Sequence, residues 1–321
     1  MVLTWDSTIR NELEMVEQEM RDRVFSEQSI LTEISLYVIG SGGKRIRPAI
    51  ALLSFRSNGG EDPNKVIKIA SAFEMIHAAT LIHDDINDNG EFRRGREAAY
   101  KHYGTQRALI AGDFLFVKSF KLGGIFNEVI VDMIADACTS IAESEMLQIL
   151  HEMETDTTIS DYIKIIEGKT AKFMEAGAKI GAYLAGSDAK RIEEMGAYGL
   201  NIGMAFQIMD DILDIVGNQA SLGKPRGVDY MDGKPNLVLL YAMADETYGK
   251  EISRSFLKKD KTQEDLGTVL ALVAKTDAVE KAKALARTYT ADAKENIASL
   301  NDSDYKASMA ILADTLVDRS T

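Results

Sequence analysis

Residues 74–95 read EMIHAATLIHDDINDNGEFRRG. Apolar residues recur at helical spacing from Met75 to Ile86, and the pattern stops at Asn89-Gly90, a pair that ends helices. Within it, Asp84, Asp85 and Asp88 place carboxylates at i, i+1 and i+4. On an α-helix the first and last stand one above the other on one face, with the middle one at the flank. The same pentad returns in FQIMDDILDIVG, residues 206–217, as Asp210, Asp211 and Asp214. Its surroundings are strongly apolar: Phe206, Ile208, Met209, Ile212, Leu213 and Ile215. Carboxylates packed this closely raise each other's pKa unless cations sit among them, and burying them needs counter-charge.

Working outward, the residues suggest which cations. Two such clusters facing each other would hold hard divalent ions through oxygen ligands. Mg²⁺ suits them, because it takes one or two carboxylates, keeps waters and shares phosphate oxygens. A diphosphate substrate follows. Arg93-Arg94-Gly95, just past the first pentad, offers guanidinium forks for phosphate oxygens. GSGGKRIRP, residues 40–48, brings Lys44, Arg45 and Arg47 to a glycine turn at the start of a helix, a second place that attracts phosphate. Lys169, Thr170, Gln207, Lys224 and Lys234 complete the candidates. GKT at 168–170 is not a P-loop, since no glycine-rich strand-to-helix turn precedes it. Taken singly, each feature has a plainer reading: a solvated acidic helix end, a structural salt-bridge cluster, a surface lysine.

The rest of the chain reads as helices. It has 321 residues, 45% hydrophobic and 27% charged, with only 4 Pro and little β-branched alternation. That predicts one all-α domain over residues 1–321. Gly40 to Gly43 ends one helix, and Pro48 suits the first turn of the next. Asp62-Pro63 predicts an N-cap and an N1 proline. Further helices are expected at about 105–122, 125–152, 160–184 and 188–216, a loop over Gly217–Pro235, and shorter helices beyond. The net charge of −13 argues against a nucleic-acid partner. Cys138 is the single cysteine, so no disulfide forms within the chain, and it is expected in the core. No signal peptide and no run of eighteen apolar residues is seen, so no transmembrane segment and a cytoplasmic location are expected.

Together these motifs resemble the trans-polyprenyl diphosphate synthases: GGKRIRP, EMIHAATLIHDDINDNGEFRRG, GKT, FQIMDDILDIVG and GKPRGVDYMDGKP, in this order over roughly residues 40–240. The resemblance implies an all-α multi-helix bundle around a deep central cavity, usually a homodimer. It implies isopentenyl diphosphate and an allylic diphosphate as substrates. Asp84, Asp85 and Asp88 would line one wall and Asp210, Asp211 and Asp214 the other, holding about three Mg²⁺ ions on the allylic diphosphate. Arg93, Lys169, Lys234 and Lys224 match positions that also grip that diphosphate. Lys44, Arg47, His77 and Arg94 match a metal-free pocket for isopentenyl diphosphate, and Thr170 and Gln207 match polar groups near the reacting carbon. Two stretches depart from the family's habit. REAAYKHYG follows Gly95, where relatives often carry a small hydroxyl residue and a proline. PNLV follows Lys234, where relatives usually have Thr-Leu-Pro.

In relatives the growing tail runs down an apolar tunnel beside the first pentad. Here Ala79 and Thr80, the fifth and fourth residues before Asp84, are both small, which disfavours a stop at fifteen carbons. Ile76 and Phe73 lie deeper, Phe73 roughly 16 Å from Asp84 along a helix axis. A floor there would suit a product of twenty carbons or longer, although a facing helix, through Phe114 or Phe116, is an alternative gauge, and an aromatic at helical spacing is more often packing. A terpene cyclase shares the first pentad but normally replaces the second. A head-to-head synthase would lack GGKRIRP, and a non-catalytic partner subunit tends to lose one aspartate cluster.

Overall fold

Helices follow one another through residues 3–217 and 226–318, the residues that the structure, a computed structural model, describes. In chain order they are α1 (Arg10–Arg23), α2 (Ser29–Ile39), α3 (Ile46–Ser57), α4 (Asn64–Asn87), α5 (Ala99–Tyr103), α6 (Thr105–Gly123), α7 (Glu128–Leu150) and α8 (Ile159–Ile166). A π-helical turn, Glu167–Ala171, leads into α9 (Lys172–Leu184) and α10 (Ala189–Val216). Then come α11 (Val228–Asp232), α12 (Leu237–Met243), α13 (Gly249–Phe256), α14 (Gln263–Val273), α15 (Ala278–Asn296) and α16 (Asp304–Val317). The one sheet among the described residues is a two-stranded hairpin, β1 (Phe92–Arg93) with β2 (Arg96–Glu97). The all-α expectation holds. The hairpin was not foreseen, because two-residue strands carry no periodicity to read.

The chain divides into two compact units. One comprises Met1–Asp136, Met174–Gly199 and Asn296–Leu312; the other Ala137–Phe173, Leu200–Glu295 and Ala313–Thr321.

In the first unit α4 is the central helix, packed against α1, α3 and α6. It buries residues on nearly every side, from Val66 to Ile82, so it is a core helix rather than an amphipathic one. Its length and mean hydropathy would also suit a membrane span, yet 72% of that apolar window is buried in the fold. The helix starts one residue later than expected: Pro63 is the N-cap, and Asp62 accepts the backbone N–H of Asn64 at 3.1 Å. Its end is a Schellman motif. The N–H of Gly90 reaches Asp85 O (3.0 Å), that of Asn89 reaches Ile86 O, and Asn89 takes the left-handed conformation (φ 51°). Small residues let α9 press on α3: a methyl at Gly181 would overlap the Ala51 carbonyl, and Ser54 Oγ donates to Ala178 O at 2.7 Å.

The second unit has its own core, in which Tyr162 and Ile166 of α8 meet Ile208 and Ile212 of α10, Leu237 and Leu239 of α12 and Phe256 of α13. Capping boxes at Thr158 and Thr262 start α8 and α14. The stretch expected as a loop up to Pro235 contains α11. Asp214 seeds it, accepting the N–H groups of Val228 (3.2 Å) and Asp229 (3.3 Å), and Gly227 and Gly233, both at positive φ, bracket it.

Candidate active site

In the first unit, the basic turn and the hairpin meet. Gly42, Gly43 and Arg45 all have positive φ, which lets the chain double back before α3. Arg94 and Gly95 form the hairpin's two-residue turn, with φ of 51° and 76° as a type I′ turn requires. That turn sends Arg94 to the carbonyl of Gly42, to which its Nη1 donates. A methyl on Gly43 would lie 2.8 Å from the same nitrogen, so glycine is needed there for space as well as for backbone. Of the three basic residues in the turn, Arg45 points inward: it pairs with Glu17 and Glu74 and donates to Ile39 O at 2.8 Å. Lys44 is exposed and Arg47 partly buried.

His77, on α4, lies at the centre of this charge. Burial, then Arg47, Arg94, Arg93 and Arg45, hold its ring well below the usual histidine range. It is therefore neutral near pH 7, among guanidinium groups. Burial and the neighbouring Arg45 and Arg93 also depress the Arg94 pKa, with Glu74 opposing. Cations crowded together like this favour an anion. The structure sets Arg47, Arg94, Arg93 and Arg45 around His77; the sequence grouping had Lys44 in place of Arg93 and Arg45.

Two turns further along α4 stands the first pentad. Asp85 is buried, and Arg93 donates to its Oδ1 from Nε (2.9 Å) and from Nη2. Burial raises the Asp85 pKa, and Arg93 opposes that rise. Asp84 and Asp88 are partly exposed and one turn apart, the N–H of Asp88 bonded to Asp84 O at 2.8 Å. This pair fits Mg²⁺, a hard ion that needs only one or two carboxylates beside water and phosphate oxygens.

In the second unit, α10 treats its three aspartates differently. Asp210 is partly exposed, whereas Asp211 and Asp214 are buried. Asp211 accepts from Tyr162 Oη (2.6 Å), Gln207 Nε2 (3.1 Å) and the N–H of Leu237 (3.4 Å). Burial, then Asp229, push its pKa up to about 7. Asp214 carries the start of α11, as described above. No group of three or more Asp, Glu, His or Cys side chains converges on one point among the described residues, because the inner members hold protein donors instead.

The π-turn sets the remaining residues. Lys169 pairs with Glu145 at 2.5 Å and donates to Gln148 at 3.0 Å, and buried Thr170 donates to Gln207 Oε1 at 2.9 Å. Gly168 touches α7 so closely that a methyl would overlap Ser144 Oγ. Such turns often mark functional sites. Lys234 is 3.9 Å from Asp232, and its N–H bonds Asp229 O at 2.8 Å. The departure PNLV has a local reason: Asn236 caps α12 through the N–H of Leu239 and bonds Asp229. Lys224 lies outside the described residues.

Of the tunnel candidates, Ile76 lines a small apolar cleft with Ala72, Ser119, Phe120, Val131 and Ile134. Ala79 is buried, and Thr80 turns its hydroxyl to His77 O at 2.9 Å. Phe73 is fully buried and faces Gly177, and it does not line that cleft. The facing helix reaches the cleft through Ser119 and Phe120, not through Phe114 or Phe116. Two residues escaped sequence reasoning. Arg45 looked like its neighbours, and only the acidic Glu17 and Glu74 give its role away. Tyr162 carries no motif at all.

Known proteins share this chain's sequence pattern and its fold. The family model described as polyprenyl synthetase matches residues 28–273. The octaprenyl diphosphate synthase of Haemophilus influenzae is 32% identical over 311 residues, covering 96% of this chain and 94% of its own. The short chain isoprenyl diphosphate synthase of Methanothermobacter thermautotrophicus is 35% identical, with 97% of each chain covered. The crystal structure of a polyprenyl synthase from Caulobacter crescentus, complexed with calcium and isoprenyl diphosphate, superposes with a TM-score of 0.94 at 32% identity, covering 98% of this chain and 97% of that one.

Proposed function

The chain belongs to the polyprenyl synthetase family, and on that premise we propose that it condenses isopentenyl diphosphate with an allylic diphosphate, 1′-4 and trans, to a linear polyprenyl diphosphate. Its relatives are prenyl diphosphate synthases of different product lengths. One observation carries the reading: a neutral histidine among Arg47, Arg93 and Arg94, on the same helix that ends in the paired carboxylates Asp84 and Asp88. A cluster of guanidinium groups around a neutral histidine suits a bare diphosphate, and a carboxylate pair suits one that arrives with metal.

Lys44, Arg47, His77 and Arg94 hold isopentenyl diphosphate. Asp84, Asp88 and Asp210 would hold Mg²⁺, about three ions in all, while Asp85, Asp211 and Asp214 hold Arg93, the Tyr162 hydroxyl and the start of α11. When bound, the metal supplies Lewis-acid stabilisation of the departing diphosphate. Arg93, Lys169 and Lys234, with Lys224, add fixed positive charge where negative charge develops as the allylic C–O bond breaks. The Thr170 oxygen faces the resulting carbocation, with Gln207 beside it. The alkene of isopentenyl diphosphate then forms the new C–C bond, and the departing diphosphate takes the proton that is lost. A product of twenty carbons or longer fits the small Ala79 and Thr80 and the cleft beside Ile76. The exposed apolar side chains Ile110, Val117 and Phe120 of α6 support a homodimer. We take residues 1–321 to act as one catalytic domain in the cytoplasm.

Purified protein with Mg²⁺, isopentenyl diphosphate and a series of allylic primers tests this, with products read by mass spectrometry. Linear polyprenyl diphosphates are expected. Cyclic hydrocarbons formed without isopentenyl diphosphate would indicate a terpene cyclase. No turnover unless a second protein is added would indicate a non-catalytic subunit.

A further inference from the structure

Four side chains of the second unit form a directed hydrogen-bond chain. Tyr162 of α8 donates to Asp211 Oδ2 at 2.6 Å, and the N–H of Leu237 approaches the same oxygen at 3.4 Å. Gln207, one turn before Asp211, donates from Nε2 to Oδ1 at 3.1 Å. Thr170, in the π-turn, donates to Gln207 Oε1 at 2.9 Å. Tyr162, Thr170 and Asp211 are buried and Gln207 is partly exposed, so water has little access to either end of the chain.

The direction of this chain follows from the chemistry of its members. An amide has one donor end and one acceptor end, and the two are told apart by their partners. A carboxylate only accepts, so it turns the amide's nitrogen toward itself and leaves the amide oxygen facing Thr170. A hydroxyl has a single proton, which Thr170 gives to that oxygen. Its lone pairs therefore point away from Gln207. A proton on Asp211 would sit on Oδ2, shared with the Tyr162 oxygen, and leave Oδ1 an acceptor, so the order survives either charge state.

We propose that Tyr162 is a positioning residue that, through Asp211 and Gln207, sets the direction of the Thr170 hydroxyl and so presents its oxygen to the electron-poor carbon of the allylic substrate. The inference rests on the prenyl-transfer reading and deepens it. Without the phenol, a buried carboxyl loses its shortest hydrogen bond and rotates to recover one. Gln207 then loses its anchor, and Thr170 its orientation. Tyr162 meets neither diphosphate in this scheme, so substrate binding is untouched.

The test is a double-mutant cycle on the full chain with steady-state kinetics. Tyr162→Phe is expected to lower kcat on the order of tenfold and to leave KM for both diphosphates within about twofold. In a Thr170→Val background, Tyr162→Phe should cost nothing more, and in Thr170→Ser, which keeps the hydroxyl, the cost should return. Effects that multiply, or a parental kcat in Tyr162→Phe, would overturn the proposal. If Tyr162→Phe does not fold, Asp211→Asn serves in the same cycle with the same expectation. A readout independent of turnover is the side-chain amide of Gln207, followed in protein labelled with ¹⁵N-glutamine and assigned through Gln207→Leu. Its signals should be slow to exchange in the parent and shift in Tyr162→Phe; unchanged signals would refute the relay. A parent that makes no prenyl product would instead refute the functional reading, with the amide signals still deciding the relay.

Discussion

Arg93 fastens both Nε and Nη2 to a single oxygen of Asp85, the middle aspartate of the first pentad. Asp85 is buried and Arg93 is 38% exposed, so the arginine is a partly solvated clamp on an otherwise costly charge. Removing it leaves that charge without its fork. Arg93→Ala is expected to lower stability by about 1–2 kcal/mol, the exposed side of the pair screened by solvent. Arg93→Lys should recover little, since an ammonium does not reproduce the fork. Urea unfolding of the three proteins measures both.

His77 makes stability depend on pH in one direction. Its folded-state pKa is depressed, so near an unfolded value of about 6.5 the unfolded chain binds the proton first. Stability is therefore full above that pH and is lost as pH falls through it. Between about pH 7.5 and 5.5 the parent should lose more stability than His77→Gln. Added inorganic diphosphate should narrow the difference, because a bound anion favours the protonated ring. Equal losses in the two proteins would show that His77 is not held neutral.

Gly168→Ala should destabilise by about 1–3 kcal/mol, since its methyl overlaps Ser144 Oγ. Adding Ser144→Ala should return part of that loss but not all, because the Ser140 carbonyl still lies 3.0 Å from the new methyl. Thermal melts of the single and double variants give the answer. If the chain carries out prenyl transfer, Gly168→Ala should also lower kcat by displacing Lys169 and Thr170.

Product length should respond at Ile76 and Phe120 rather than at Phe73. Ile76→Ala widens the cleft beside α6 and is expected to lengthen the product; Ile76→Phe should shorten it. Phe73→Ala is expected to cost about 3–5 kcal/mol of stability with product length unchanged, as for a buried core aromatic. Mass spectrometry of the products distinguishes the two sites.

Burial pushes the Cys138 thiol up to about 11. As the chain's single thiol, it gives an unambiguous signal. Alkylation by iodoacetamide at about pH 8 should run well below the rate of a free thiol and match it once urea unfolds the chain.

The residues that organise the fold were legible where a local rule governs them. Asn89-Gly90 announces the end of α4 because only a left-handed residue completes that cap, and the helical spacing around Asp210 identifies α10. The resemblance names Lys44, Arg47, His77 and Arg94 together, and the structure sets Arg47, Arg94, Arg93 and Arg45 around His77. What escaped depends on partners distant in the chain. Arg45 differs from Arg47 only in meeting Glu17 and Glu74, 28 and 29 residues away. Asp211 differs from Asp210 only in meeting Tyr162, 49 residues back. No window along the sequence contains both halves of such a pair.

The contact from Arg94 to the Gly42 carbonyl joins positions 52 residues apart across a glycine turn and a hairpin, neither of which holds its shape alone. A refolding chain can bury α4 against α3 and α6 before this clasp closes, because long loops close late and at an entropic cost. The cationic cluster around His77 is then among the last features of the first unit to form. Inorganic diphosphate would find nothing to grip in the folding transition state. It would slow unfolding and raise the melting temperature, and leave the refolding rate where it was.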